Sequence, residues 1–157
     1  MSSEPPAPAQ RLGQIGLSSF PPYLMNRLMG QYNGILRSEM ADMGLTTAKM
    51  RALGVLSVLD GPLIRELAEL AVTEQSTLSR ALDQLQAEGL VRREADANDS
   101  RATRIYSTDL GRAAFERIWP HMALATERMF RGISDDERHA FVGTLQKMLA
   151  NICKQEV

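Results

Sequence analysis

Ile64-Arg65-Glu66-Leu67-Ala68-Glu69-Leu70-Ala71-Val72-Thr73-Glu74-Gln75-Ser76-Thr77-Leu78-Ser79-Arg80-Ala81-Leu82-Asp83-Gln84-Leu85-Gln86-Ala87-Glu88-Gly89 is the stretch whose pattern decides the fold. Ile64, Leu67, Ala68 and Ala71 recur at helical spacing and predict a short helix over 64–71. Thr73 is the expected N-cap of a second helix over 74–88, whose Leu78, Ala81, Leu82 and Leu85 share one face and which Gly89 ends. Leu90-Val91-Arg92-Arg93-Glu94 and Thr103-Arg104-Ile105-Tyr106-Ser107 then read as two short strands, joined by a polar turn over 95–101. Two helices across a tight turn, followed by a β-hairpin, describe a winged helix-turn-helix. In that arrangement the first helix braces the second so that its N-terminal half projects into a DNA major groove.

The flanks are helical. Residues 1–17, with Pro5, Pro6 and Pro8, are expected to form a flexible arm, and Ser18-Ser19-Phe20-Pro21-Pro22 to start a helix. Leu24, Leu28, Tyr32, Ile35, Leu36 and Met40 carry its apolar face up to Gly44. Thr46 is the expected cap of the next helix, with Met50, Leu53, Leu56 and Leu59 inward and Asp60-Gly61-Pro62 as its stop. Beyond the hairpin, Thr108 caps a long helix bearing Phe115, Ile118, Met122, Ala125 and Met129, which Pro120 should kink. Ser134 and Glu137 form a capping box for a last helix with Phe141, Val142, Leu145, Met148, Leu149 and Ile152 on its apolar side. The fold class is therefore mainly α (α+β): a winged helix-turn-helix head over 45–109, with helical regions over 18–44 and 110–157. Their apolar faces exceed what one small head can bury, which points to two-fold pairing, with an intrachain bundle as the alternative.

Composition narrows the function. The chain has 157 residues, 44% hydrophobic and 24% charged, with a net charge of −1, so bulk charge advertises neither nucleic acid nor membrane. No apolar run approaches a membrane span, and residues 1–10 lack the order of a secretion signal. A single cysteine, Cys153, fits a reducing compartment, and a cytoplasmic protein is expected. His121 and His139 are too far apart to grip a metal from one turn, and there is neither a phosphate loop nor a Gly-x-Ser-x-Gly elbow. No catalytic residue, metal or cofactor is expected.

The candidate site lies on the head. Gln75, Ser76, Thr77, Ser79 and Arg80 remain outward at the start of the second helix, as short hydrogen-bonding groups and one cation suited to base edges and phosphates. At the hairpin tip, Asp99 is placed to hold the Arg101 guanidinium so that it enters a minor groove, with Arg92, Arg93 and Arg104 as phosphate contacts. From Gln75 to Arg104 five arginines (80, 92, 93, 101, 104) face five acids (Asp83, Glu88, Glu94, Asp96, Asp99). Either positive charge is sorted onto one face, or binding is weak and relies on doubling in a dimer.

With these residues in hand, the chain resembles the MarR family of bacterial winged-helix transcription regulators from about Leu24 to Ile152. Asp99, Arg101, Ile105, Thr108 and Gly111 match the family's wing motif, while Leu67-Ala68, Ser76 to Arg80 and Leu85-x-x-x-Gly89-Leu90-Val91 resemble its brace and recognition helices. Two positions depart from it: Ser107 stands where Leu is usual, and the brace helix starts at Pro62-Leu63-Ile64 without a Ser or Thr cap. The resemblance implies an obligate homodimer on double-stranded DNA, a repressor of a pseudo-palindrome with half-sites about one helical turn apart. It also implies release by a small aromatic or phenolic effector, whose walls here would be Met25, Met29, Tyr32, Leu36, Met50, Leu53, Phe115 and Trp119. No cysteine lies early in the first helix, where peroxide-sensing relatives carry one, which disfavours a redox switch. The rival is a winged-helix dimer serving as a protein-interaction scaffold or small-molecule sensor without DNA, kept open by the even charge count.

Overall fold

Two prolines set the start of the first long helix. The structure is a computed structural model that describes residues 10–153; residues 1–9 of the expected arm, and 154–157 of the last helical region, lie outside the described residues. From residue 10 the chain forms a single turn, α1 (Leu12–Ile15), and a 3-10 turn (Leu17–Ser19) ahead of α2 (Pro21–Ala41). Pro21 and Pro22 occupy the first turn of α2, where a missing N–H removes no intrahelical bond. α3 (Thr47–Leu56) is capped by Thr46, whose hydroxyl accepts the Lys49 N–H at 3.3 Å. It stops three residues sooner than the apolar spacing suggests. The Ser57 hydroxyl returns to the Gly54 carbonyl at 2.6 Å, and Leu59 lies exposed in the turn beyond.

α4 (Ile64–Leu70) and α5 (Gln75–Ala87) are the predicted brace and recognition pair. α4 lacks a capping Ser or Thr, but Glu66 reaches back and accepts the Leu63 N–H at 2.8 Å, which supplies half of a capping box. The turn between the two helices corrects one expectation. Val72 adopts left-handed backbone at φ +49°; its N–H donates to the Glu69 carbonyl, and the Thr73 N–H to the Ala68 carbonyl, each at 3.0 Å. This is a Schellman closure of α4. Thr73 is drawn into it, its hydroxyl donating to the Ala71 carbonyl at 3.0 Å, so it ends α4 instead of capping α5. Glu74 takes the N-cap position without a side-chain bond.

β1 (Val91–Ala95) and β2 (Thr103–Ser107) form an antiparallel pair with Val91 opposite Ser107, Arg93 opposite Ile105 and Ala95 opposite Thr103. A bridge absent from the sequence reading joins Leu63 to Arg104 on the other edge of β2, and the Ile105 N–H donates to the Pro62 carbonyl at 3.0 Å. Two residues are too short a run to show strand periodicity. α6 (Asp109–Met129) starts on Thr108, which accepts the Gly111 N–H at 3.1 Å and donates to the Gly89 carbonyl at 2.6 Å. Gly111 makes this approach possible, because a Cβ there would sit 2.0 Å from the Leu90 carbonyl oxygen. Pro120 lies within α6. α7 (Asp135–Cys153) opens on the predicted capping box. Glu137 accepts the Ser134 N–H at 3.0 Å and donates its own N–H to Ser134 Oγ at 3.3 Å, and the Ser134 bonds hold the Glu137 carboxyl below its ordinary value.

The chain divides into two compact units, Met1–His121 and Met122–Val157. In the first, α3, α4 and α5 pack on one another and β2 lies against α3 and α4. Leu53, Leu67, Leu78, Leu82, Leu85 and Ile105 are fully buried there, each contributing about 1.5–3 kcal/mol of apolar burial. In the second, Phe130 and Phe141 meet edge to face at 6.2 Å and Arg138 pairs with Glu127 at 2.9 Å. α7 buries no residue: Phe141, Val142, Leu149 and Ile152 are exposed. The mainly helical winged helix-turn-helix architecture is as the sequence predicts. Among the described residues, no helix is long and apolar enough to cross a membrane.

Candidate nucleic-acid interface

The buried face of α5 decides what its other face offers. With Leu78, Ala81, Leu82 and Leu85 inward, Gln75, Ser76, Thr77 and Arg80 are exposed and Ser79 is half-buried. The far end of α5 is tied down by Lys49, only 4% exposed, whose ammonium donates to Glu88 at 2.7 Å. A buried ammonium left unpaired would be strongly unfavourable, so this bond fixes α5 against α3.

The wing is built around Asp96. Its carboxylate accepts the backbone N–H groups of Asn98 at 2.9 Å and Asp99 at 3.0 Å, and it pairs with the Arg104 guanidinium. The Asn98 amide first, then Arg104, hold the Asp96 carboxyl below its ordinary value, and Asp96 in turn raises that of Arg104. Arg104 also donates to the Gly61 carbonyl at 2.7 Å. It therefore fastens the wing to the turn ahead of α4, and its guanidinium is occupied within the protein. Asp99 differs from expectation too: Asp99 Oδ1 accepts the Arg101 backbone N–H at 3.0 Å, not its guanidinium. The carboxylate shapes the tip, and the Arg101 side chain projects from it exposed.

Sorting the charges resolves the even count. Arg93 pairs with Asp83 at 2.7 Å; Arg92 pairs with Glu94 and lies over the Tyr106 ring, 4.3 Å from its centroid. Arg104 pairs with Asp96, and Glu88 is taken by Lys49. Arg92, Arg93 and Arg104 are thus held by acids of the head. Arg80 and Arg101 have no acidic partner among the described residues, and Asp99 is engaged by backbone. Arg101 lines a groove of about 470 Å³ with Gln75, Asp99 and Arg65 of α4. Neither Arg65 nor the wing-building role of Asp96 is among the sequence expectations. Arg65 stands in the brace helix, whose sequence signal is its apolar side, whereas Asp96, two residues before Asn98, carries the spacing of an Asx turn.

The expected effector walls fall into three groups. Leu36, Met50 and Leu53 belong to the core. Met25, Tyr32 and Phe115 are half-buried, and Phe115 stands 6.3 Å from Trp119, which is 55% exposed, as is much of Met29. Phe115 packs where α3 has no side chain, since a Cβ on Gly54 would lie 3.3 Å from its ring. His121 is satisfied by Glu39 at 3.0 Å. Among the described residues, no group of three or more His, Cys, Asp or Glu is placed to hold a metal ion.

Residues 43–102 match the sequence pattern of the MarR family. Among solved structures, the chain is similar to a MarR-family transcriptional regulator from Silicibacter pomeroyi, with 59% identity, 91% of this chain and 97% of that one covered, and a TM-score of 0.87. It is also similar to CouR from Rhodococcus jostii RHA1, solved bound to p-coumaroyl-CoA, with 25% identity, 85% and 94% covered, and a TM-score of 0.74. The uncharacterized HTH-type transcriptional regulator YwaE from Bacillus subtilis (strain 168) is 27% identical over 88 residues, 56% of this chain and 52% of that protein, so the match spans about half the length of that relative.

Proposed function

This chain belongs to the MarR family of winged-helix transcriptional regulators, and from that premise we propose that it is a homodimeric, sequence-specific regulator that binds double-stranded DNA and represses at a pseudo-palindromic operator. The observation that carries this is the sorting of charge on the head. Of the five arginines between Gln75 and Arg104, three are paired with acids, while Arg80 on the recognition helix and Arg101 at the wing tip stand exposed. Gln75, Ser76, Thr77, Ser79 and Arg80 would meet the major groove and Arg101 the minor groove, in the head formed by residues 45–109. Asp99 would act indirectly, by shaping the tip.

Dimerisation is assigned to residues 18–44 and 110–157. Its support is the exposed apolar surface of each element taken separately: Leu24, Leu28, Met29 and Ile35 on α2, and Phe141, Val142, Leu149 and Ile152 on α7. Two heads would then read half-sites about one helical turn apart. A small aromatic effector is proposed to act near Phe115 and Trp119, supported by the aromatic acyl-CoA bound to the Rhodococcus relative.

Selection of bound duplexes from a random-sequence library, at two salt concentrations, tests the proposal. It predicts an enriched pseudo-palindrome whose affinity falls with salt. Arg101→Ala should then weaken binding to the enriched duplex at least about tenfold, whereas Arg93→Gln, which removes a cation already paired, should leave the salt dependence unchanged. No affinity for any duplex at low salt would reject DNA binding in favour of a scaffold or sensor.

A further inference from the structure

A second groove, of about 530 Å³, runs along α5 and joins two of its outward residues to α2 and α3. Its lining includes Arg37 near the end of α2, Thr46 and Thr47 at the start of α3, and Thr77, Arg80 and Gln84 of α5. Leu45, Ala41, Ala48 and Ala81 complete a small, apolar floor, and no acidic residue contributes to the lining. Arg37 is exposed and, like Arg80, has no acidic partner among the described residues. Arg27 on the same helix differs in standing over the Tyr23 ring, 6.0 Å from its centroid. Two guanidiniums facing one acid-free groove repel each other in the empty state, and that repulsion is relieved by an oxyanion placed between them. Guanidiniums offer paired N–H donors and threonines single O–H donors, which together suit the several oxygens of a phosphate.

We propose that this groove holds a backbone phosphate of the DNA, so that Arg37 of α2, outside the winged head, is a DNA contact. The proposal rests on the DNA-binding function proposed above. The choice of occupant follows from position: Thr77 and Arg80 belong to the helix assigned to the major groove, and a duplex that receives α5 must carry its phosphates along that helix's flank. Such a contact fixes the protein's register on the duplex and carries no sequence information of its own.

The test is a salt titration of wild type, Arg37→Gln, Arg37→Lys and Arg101→Gln, on a duplex enriched by the wild-type protein and on an unrelated mixed-sequence duplex. Arg37→Gln is expected to weaken both by the same factor, roughly tenfold, and to flatten the slope of log affinity against log salt by about 1.8, one phosphate lost from each of two heads. Arg37→Lys keeps the charge and should keep the slope. A merely structural role for Arg37 would not move that slope. If Arg101→Gln flattens the slope and Arg37→Gln does not, the phosphate site is refuted while DNA binding stands. If neither variant changes binding, DNA binding by the head fails as well. Benzoate serves as the free-anion arm: benzoate inhibition of DNA binding that Arg37→Gln abolishes, with the salt slope unaltered, would assign the groove to a small organic anion and overturn the proposal.

Discussion

Val72 is the one residue besides glycine with left-handed backbone among the described residues, and it closes α4 just before the recognition helix. A β-branched residue at the C′ position of a Schellman turn holds its Cβ against the neighbouring carbonyl, a strain of about 1–2 kcal/mol that glycine avoids. Val72→Gly removes that strain. The opposing terms are small. The side chain is 76% exposed, so its loss forfeits only about 0.5 kcal/mol of apolar burial, and the freer unfolded chain of a glycine variant removes about 0.5–1 kcal/mol. Strain relief and losses nearly cancel, which leaves Val72→Gly within about 1 kcal/mol of wild type. Val72→Ala gives the sharper comparison. It shares the loss of the exposed methyls but retains the Cβ in left-handed backbone, so Val72→Gly should exceed it by about 0.5–1 kcal/mol, or roughly 1–4 °C of melting temperature for a chain of this size. Thermal and urea unfolding of both variants give the measurement. Val72→Gly melting below Val72→Ala would refute the strain argument. The Arg51 guanidinium donates to the Val72 carbonyl at 2.9 Å in a bond that neither substitution removes, so the turn keeps its shape and DNA affinity should be unchanged in both.

Two further perturbations probe the wing and the proposed dimer. Asp96 is held below its ordinary value in the folded chain, so its stabilisation is complete above the unfolded-chain value of about 3.9 and is lost as pH falls through the lower folded value. Wild type should therefore unfold at higher urea than Asp96→Asn at neutral pH, with the difference shrinking as the solution is taken below about pH 4, and a difference that persists undiminished in strong acid would contradict this. Leu149→Glu places a charge on the exposed apolar side of α7, so sedimentation should report a shift from dimer toward monomer, and an unaltered dimer would exclude that side from the interface.

How far the sequence carries depends on the range of the interactions involved. The helices and the hairpin are set by contacts within a few residues, and periodicity plus caps at Thr46, Thr108 and Ser134 were enough to place them. Thr73 failed as a cap because the preceding residue, Val72, carries no sign of the left-handed turn that glycine usually marks. Asp99 engages Arg101 through the backbone and not the guanidinium, since an aspartate two residues before an arginine reaches its backbone amide with less distortion.

The fate of each arginine was not legible, for a different reason. Arg93 finds Asp83 because β1 packs against α5, and Arg104 finds both Asp96 and the Gly61 carbonyl because β2 is flanked by the hairpin tip on one side and the turn ahead of α4 on the other. These pairings exist only once register and packing are fixed, so a linear count of five cations against five anions gives no way to choose among them. The two that stay free lie exposed on the outward face of α5 and at the tip of the wing. A segment of zero net charge can thus present positive charge to a polyanion, because folding consumes its acids in holding the head together. That reasoning also makes the acids indirect determinants of binding. Removing Asp83 would release Arg93 as a new cation beside the recognition helix, and its first consequence should be a steeper salt dependence on any duplex, not a change in the sequence preferred.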